Sequence, residues 1–247
     1  MRFGIIDLSG LIHPLWHAVR PKGVPKPDLE RDSQGNYIDA VLKFLGYIAD
    51  LRAGSFRHTH LVVACDRGYT HRTALLPTYK QRESILTPDA IADLKRQLRL
   101  CEKLCDALGI PITAVEGYEA DDCVASLVNR LEAAEKVSEI VVHAPDKDYW
   151  QLLSDRTFLV TRKSGRFDVD SLLHRLSIYP TQMVDWQALA GDSTDGIPGV
   201  PKCGPKLATA LIQQYFDLGG VYASIEEIRK TPKIASFKGS TVAGYLE

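Results

Sequence analysis

An α/β fold on a mainly parallel sheet, followed by a helical C-terminal lobe, is what this sequence predicts. Three observations predict it. Short apolar, β-branched runs at 3–6, 61–65, 111–115, 139–144 and 157–161 alternate with helical patterns, as strand–helix–strand units do. Beyond residue 180 the strand signals stop, and short helical stretches separated by Gly/Pro turns take over. At 247 residues and 45% hydrophobic, the chain can bury one good core and a small second lobe. The expected division is residues 1–177 for the sheet domain and 178–247 for the lobe.

The elements follow in order. Phe3-Gly4-Ile5-Ile6 opens the chain as a strand. The loop Arg20–Asn36 is polar and Pro-rich, and is expected to be mobile. Asp39–Asp50 reads as a helix. Leu61-Val62-Val63-Ala64-Cys65 is the second strand. The clearest helix begins at Thr87 as N-cap, with Pro88 at the first position, and ends at Gly109. Ile91, Leu94, Leu98, Cys101, Cys105 and Leu108 form its apolar stripe; Lys95, Arg96, Arg99 and Lys103 form a face expected to be solvated. Glu119–Leu131 reads as a third helix with Val124, Leu127 and Leu131 inward. Within Phe158–Val169, Lys-Ser-Gly-Arg suggests a hairpin.

Composition narrows the function classes. No apolar stretch approaches the ~20 residues of a membrane span, and the N-terminal run is too short for a signal peptide. The expectation is a cytoplasmic monomer. Five cysteines without a C-x-x-C exclude a disulfide framework and a zinc ribbon; Cys101 and Cys105 read as core fillers. The net charge of −1 hides an uneven distribution. Between Asp66 and Asp89 the chain carries Arg67, His71, Arg72, Lys80 and Arg82 against Glu83 alone.

Nine carboxylates carry the chemistry. Asp7 and Asp66 follow the first two strand runs, and Glu119, Asp121 and Asp122 follow the third. Asp146 and Asp148 follow Ile140–Ala144, while Asp192 and Asp195 lie in the loop G-D-S-T-D-G. Ligands of open parallel sheets bind outside the carboxyl ends of the strands. A single Asp there caps a turn or a helix; nine such residues are too many for capping alone. Glu119 and Asp122 are spaced to share a helical face, and Asp146 and Asp148 to share one side of an extended segment. Crowded like charges are best offset by divalent cations with oxygen ligands, Mg²⁺ first and Mn²⁺ as its substitute. No histidine is placed for zinc, since His13 and His17 stand alone. The chemistry implied is metal-dependent phosphodiester hydrolysis.

Five stretches, in order, resemble the structure-specific 5′ nucleases, the flap-endonuclease and 5′-3′ exonuclease family of phages and of polymerase I 5′-nuclease domains. They are I-I-D-L-S-G-L-I-H-P-L-W-H-A; C-D-R-G-Y with R and L-P-T-Y-K-Q-R; I-P-I-T-A-V-E-G-Y-E-A-D-D; A-P-D-K-D-Y-W-Q-L; and A-G-D-S-T-D-G-I-P-G-V-P-K-C-G-P-K-L-A-T-A-L. The resemblance implies a PIN-like fold with a helix–three-turn–helix at about 190–216. It implies a two-metal site, with Asp7, Asp66, Glu119 and Asp121 on the first ion. Asp146, Asp148, Asp192 and Asp195 would serve the second, with Asp121 or Asp122 between. Lys80 matches the arch lysine that reaches the scissile phosphate, and Arg67, Arg72 and Arg82 look like DNA contacts. Tyr69 and Tyr79 would stack on a base or pack.

The turn Gly199–Lys206 has its own physical logic. Small, turn-forming residues ahead of a helix let backbone N–H groups approach a phosphate, and Lys202 and Lys206 add charge. By resemblance Gly199, Lys202, Gly204 and Lys206 grip duplex DNA, and backbone carbonyls there can hold K⁺. Two positions depart from the family pattern: Gly196 replaces a frequent Asn, and Lys202 replaces Gly, which is expected to alter the turn. The short stretch from Lys80 to Thr87 leaves little chain for a long arch. No polymerase domain is expected, and the end at Glu247 fits a trimmed chain. The function implied is a Mg²⁺-dependent nuclease cutting near 5′ ends of flap, nicked or branched DNA, with roles in replication and repair. Its rivals are a PIN-type ribonuclease, which would lack the 192–208 motif, and a DNA-junction binding module that has lost catalysis.

Overall fold

A computed structural model describes residues 1–54, 56–81, 84–161 and 165–246. They group into two compact units: Met1–His71 with Arg82–Arg166, and Arg72–Gln81 with Phe167–Glu247. Nothing in the sequence marks Arg72–Gln81 as belonging with the C-terminal residues.

The first unit opens with β1 (Arg2–Asp7), which turns at once into α1 (Leu8–His17). There follow α2 (Asp39–Ala53), β2 (His60–Ala64), α3 (Thr70–Leu75, counted with the second unit from Arg72 on), α4 (Pro88–Ala107) and β3 (Ile112–Thr113). Next come α5 (Ala120–Glu132), β4 (Glu139–His143), β5 (Thr157–Thr161) and β6 (Gly165–Phe167). The six-stranded order is β3-β2-β1-β4-β5-β6. β1 pairs in parallel with β2 and β4, β2 with β3, and β4 with β5. Ile5, Ile6, Val63, Ile140, Val141 and Val142 are all 0% exposed. Both faces of the central strands are therefore covered, which is why these strands read as continuous apolar runs. Gly4 leaves room on β1: a Cβ there would come within 2.6 Å of Leu61 and 2.8 Å of the His58 ring.

The clearest expectation holds. Thr87 caps α4, its side chain accepting the Ala90 N–H at 3.3 Å, and Gly109 leaves the helix at φ 64°. Cys101 and Cys105 are fully buried, and burial pushes all five thiols up, Cys65 to about 12. Several details differ. Arg96 is not solvated: it donates to the Tyr37 carbonyl and pairs with Asp93 at 3.0 Å. On α5 the buried residues are Ala120, Cys123, Val124 and Val128, so the inward stripe excludes Leu127 and Leu131, which are half-buried. β3 keeps only two residues of the expected 111–115, because an edge strand has one neighbour and Val115 turns away, its carbonyl accepting the Tyr118 N–H. The loop expected to be mobile is tied down at Val19–Lys26 by a backbone bond of 3.1 Å and at Asp32 by Gln34 and Asn36. The Lys-Ser part of the hairpin turn lies outside the described residues.

The second unit is helical, with α6 (Val169–Leu176), α7 (Met183–Ala190), α8 (Pro205–Tyr215), α9 (Leu218–Ala223), α10 (Ile225–Lys230) and α11 (Gly239–Leu246). Among the described residues no strand follows Phe167. α7 and α8 pack together, with the Trp186 indole donating to Thr209 at 2.9 Å. No described helix is long and apolar enough to cross a membrane.

Candidate active site

In the first unit the acidic residues stand where strands end. Asp7 closes β1 and caps α1: its Oδ1 accepts the Gly10 N–H at 2.9 Å, and the Tyr149 hydroxyl donates to Oδ2 at 2.9 Å. Asp66 lies two residues beyond β2; its Oδ1 accepts the Ala120 N–H at 2.9 Å and its Oδ2 accepts the Ser9 hydroxyl. Asp66 thereby ties the start of α5 to the start of α1. Glu119 is the N-cap of α5 and 5% exposed, and its N–H donates to Asp122 at 3.1 Å in a capping box. Asp121 lies beside Asp122 in the first turn of the same helix.

Asp146 and Asp148 depart from expectation. The segment is not extended: Asp146 accepts the Asp148 N–H at 3.0 Å and caps a 3-10 turn over Lys147–Leu152. A side-chain bond two residues ahead closes the chain into a turn, which period-two reasoning cannot foresee. The capping explanation is therefore true of Asp7, Glu119 and Asp146, yet it does not exhaust them. A carboxylate has about four lone-pair sites, and a cap fills one.

The electrostatics show what capping leaves over. Asp7 is 8% exposed, and burial pushes its carboxyl up to about 6. The Gly10 N–H and the Tyr149 hydroxyl oppose that rise, while the charges of Asp66 and Asp146 add to it. Burial and Asp7 in turn hold the Tyr149 proton in place well beyond the ordinary phenol range. Tyr149 and Ser9 were not singled out by the sequence reading. The signal was the Tyr directly after D-K-D and the Ser two residues after Asp7.

The second unit holds its own acidic pair. Asp192 and Ile197 exchange backbone bonds of 2.9 and 2.8 Å, pinching G-D-S-T-D-G into a closed turn. Asp192 also accepts the Thr194 N–H at 2.7 Å. Asp195 accepts the Tyr79 hydroxyl at 3.1 Å, its carbonyl accepts the Lys80 N–H at 2.9 Å, and its carboxylate lies 3.7 Å from Lys80 Nζ. Tyr79 is 4% exposed and packs; Tyr69 stays exposed. Arg72 lies 5.8 Å from the Tyr79 ring. Arg67 forks onto Glu102 at 3.1 and 2.8 Å, so an internal carboxylate already matches its charge. Arg82 lies outside the described residues.

The turn between α7 and α8 depends on Gly199, where a Cβ would sit 2.5 Å from the backbone of Leu189, Ala190 and Gly191. Gly196 has φ 71° and Lys202 φ 62°. Both are left-handed, where Gly and Asn are at ease and Lys is not. The Gly196 departure thus preserves the turn, and the Lys202 departure keeps a glycine-like conformation under strain. Gly204 caps α8, and Lys202 and Lys206 are exposed.

Comparison with known proteins follows this layout along the chain. DNA polymerase I of Lactococcus lactis is 31% identical over 201 residues, 79% of this chain and 22% of that protein. The chain thus spans less than a quarter of that relative's length. A 5′-3′ exonuclease of Halalkalibacterium halodurans is 31% identical over 227 residues, 90% of this chain and 72% of that protein. The bacteriophage T5 flap endonuclease, solved as a pseudo-enzyme-product complex with DNA and metal ions, covers all of this chain and 86% of its own at TM-score 0.71 and 17% identity. It shares the PIN-like fold. The family description "5′-3′ exonuclease, N-terminal resolvase-like domain" matches residues 2–177, and "5′-3′ exonuclease, C-terminal SAM fold" matches residues 178–240. With residues 2–240 matched, and the grouped carboxylates spread over both stretches, this chain belongs to the 5′-3′ exonuclease family.

Proposed function

We propose that the chain, a 5′-3′ exonuclease by family, hydrolyses phosphodiester bonds near the 5′ ends of flap, nicked or branched DNA with Mg²⁺, as a monomer. One observation carries the reading. Among the described residues Asp7 and Asp66 meet amide and hydroxyl donors and no basic side chain, although Asp7 is nearly buried. An all-oxygen donor set with unmatched negative charge fits a hard divalent cation.

In the first unit Asp7, Asp66, Glu119, Asp121, Asp122, Asp146 and Asp148 would hold divalent ions, and in the second Asp192 and Asp195 offer further oxygen donors. When bound, such ions lower the pKa of water and stabilise the leaving oxygen. The chain's own residues do the rest. Tyr149 and Gly10 fix both oxygens of Asp7, and Ser9 and Ala120 fix those of Asp66, so the carboxylates are oriented before any ligand arrives. Lys80 would exchange Asp195 for the scissile phosphate and stabilise charge there. Arg72 and Arg82 would add phosphate contacts. The Gly199–Lys206 turn would hold the duplex through amides and through Lys202 and Lys206, with K⁺ on its carbonyls.

The test uses 5′-labelled flap, nicked, single-stranded and RNA substrates with Mg²⁺, Mn²⁺ or EDTA, and sizes the products. Short products from flap and nicked DNA in either metal, and none in EDTA, are expected. Asp146→Ala and Asp148→Ala should abolish cleavage and retain DNA binding. Full activity in EDTA would falsify the metal assignment, and cleavage confined to RNA would favour a PIN-type ribonuclease.

A further inference from the structure

The helical unit carries a basic concavity that the catalytic reading does not use. It lies between the end of α10 and the start of α11, a cavity of about 630 Å³ lined by Arg229, Lys230, Lys233, Lys238 and Ser240 among others. Lys230, Lys233 and Lys238 are exposed, and among the described residues none of them is ion-paired. Arg229 is half-buried, 3.6 Å from Glu226. From residue 225 to 241 the only acids are Glu226 and Glu227. Three unmatched positive charges around one hollow create a local attraction for anions that the net charge of the whole chain conceals.

The hollow is built rather than incidental. Gly239 lets the start of α11 press against the end of α10: a Cβ there would sit 2.0 Å from the Ile228 carbonyl and 2.2 Å from that of Thr231. Gly239 N–H bonds the Thr231 carbonyl at 3.1 Å, and Ile234 and Phe237 close the intervening turn with bonds of 2.9 and 3.0 Å. The Ser240 N–H, at the start of α11, goes to no backbone acceptor among the described residues.

The lining also says which anion. Ile228 and Ile234 are 0% and 2% exposed, and apart from Pro232 the lining side chains are charged, small or hydroxylic, so the hollow offers no large aliphatic or aromatic anchor for a peptide or a membrane surface. It offers charge and hydroxyls, the means of contacting phosphate without reading sequence. The other end of α11 meets the turn proposed to grip the duplex, because Lys202 Nζ lies 5.6 Å from the ring of Tyr245. From Gly239 to Tyr245 α11 rises ~9 Å, two to three base pairs at ~3.4 Å each.

We infer that the α10–α11 concavity is a second phosphate-contact surface, taking the DNA backbone two to three base pairs beyond the Gly199–Lys206 turn. This rests on the nuclease reading and extends its grip on the duplex arm remote from the cut.

The experiment measures Kd against KCl concentration for flap substrates whose remote duplex arm is shortened pair by pair, with Ca²⁺ in place of Mg²⁺. The parent chain is compared with the Lys230→Ala, Lys233→Ala, Lys238→Ala triple variant. Exposed lysines leave folding intact, and thermal melting checks it. The variant should bind the long-arm substrate about tenfold more weakly, with a log–log salt slope lower by two to three. Parent and variant should converge once the arm no longer extends past the turn. Equal affinity and slope at every arm length overturn the inference, and so does an equal loss at every length, which would mark general attraction only. Cleavage of the flap by the parent in Mg²⁺, run alongside, reports on the nuclease reading separately.

Discussion

Arg20 and Asp7 are both charged and both nearly buried, and the fold treats them in opposite ways. Arg20, 1% exposed, is matched completely. It forks onto Asp39 at 2.8 and 2.7 Å, reaches Asp93 at 3.1 Å, and lies 4.7 and 5.0 Å from the rings of Trp16 and Tyr37. Asp7, 8% exposed, receives an amide and a phenol, and its nearest charges are those of other acids. A buried charge left without its counter-ion is costly, so a fold that supplies one counter-ion and withholds the other has separated two tasks. The first site holds α1, α2 and α4 together. The second, on the proposed reading, would hold a divalent ion.

The same chemical change should therefore give opposite results in the two places. Asp39→Asn removes half of the fork and leaves Arg20 buried with Asp93 alone. Breaking such a pair costs about 3–5 kcal/mol, a fall in Tm on the order of 10 °C for a chain of this size. Unchanged melting would mean the clamp is not structural, and the comparison fails. Asp7→Asn keeps an acceptor for Gly10 and a partner for Tyr149 but removes one negative charge from a crowded place. Its Tm should hold or rise, while flap cleavage in Mg²⁺ falls by roughly 10²–10³, the range for one electrostatic partner of a transition state. A large loss of Tm with cleavage intact would make Asp7 a structural residue like Asp39.

These two sites also show what can be read from a chain. The end of α4 and its Thr87 cap were legible because capping is local. So were the strand-end carboxylates, since apolar runs followed by acids need no tertiary knowledge. The clamp was not legible: Arg20 and Asp93 are 73 residues apart, and only packing brings them to 3.1 Å. Tyr149 and Ser9 were hidden for the same reason. Asp146 was seen and its local geometry missed, because its own side chain bends the backbone that the alternation pattern assumed straight. Arg67 was legible as a cation beside Asp66, but its pairing with Glu102, 35 positions away, was not.

A third buried site sharpens the comparison, since it holds titratable groups kept neutral. His58 and His143 join Nε2 to Nε2 at 2.9 Å, and His143 Nδ1 meets the Tyr47 hydroxyl at 2.8 Å. His58 Nδ1 is buried without a hydrogen-bond partner among the described residues. Phe56 covers both rings, and the charged groups acting on the pair are Arg2 and Glu139. Burial lowers His58 to about 4 and His143 to about 3 from an ordinary 6.5. Between those values and 6.5 the unfolded chain binds more protons. Stability from the pair is thus fully present above 6.5 and declines as the pH falls. The loss should be on the order of 2 kcal/mol per histidine by pH 5. Urea midpoints from pH 7.5 to 5 measure it, and His143→Phe should flatten the profile. An equally steep profile in that variant would assign the loss to carboxylates.

The smallest effect separates charge from conformation at Lys202, an exposed charge held on a strained backbone. At φ 62° a side chain costs about 1–2 kcal/mol relative to Gly, and the greater freedom of Gly in the unfolded chain returns ~0.4–1 of it. Lys202→Gly should therefore raise Tm slightly, by about 1–3 °C, since 1 kcal/mol is worth ~2–4 °C here. Lys202→Ala keeps the strain and should leave Tm where it was. Both remove the same charge. If Lys202 touches phosphate, both should weaken duplex binding alike and lower its salt slope by about one. A glycine variant that melts higher and binds as tightly as the parent would show that this lysine contributes strain and no grip. Duplex contact in the turn would then rest on Lys206 and the backbone amides.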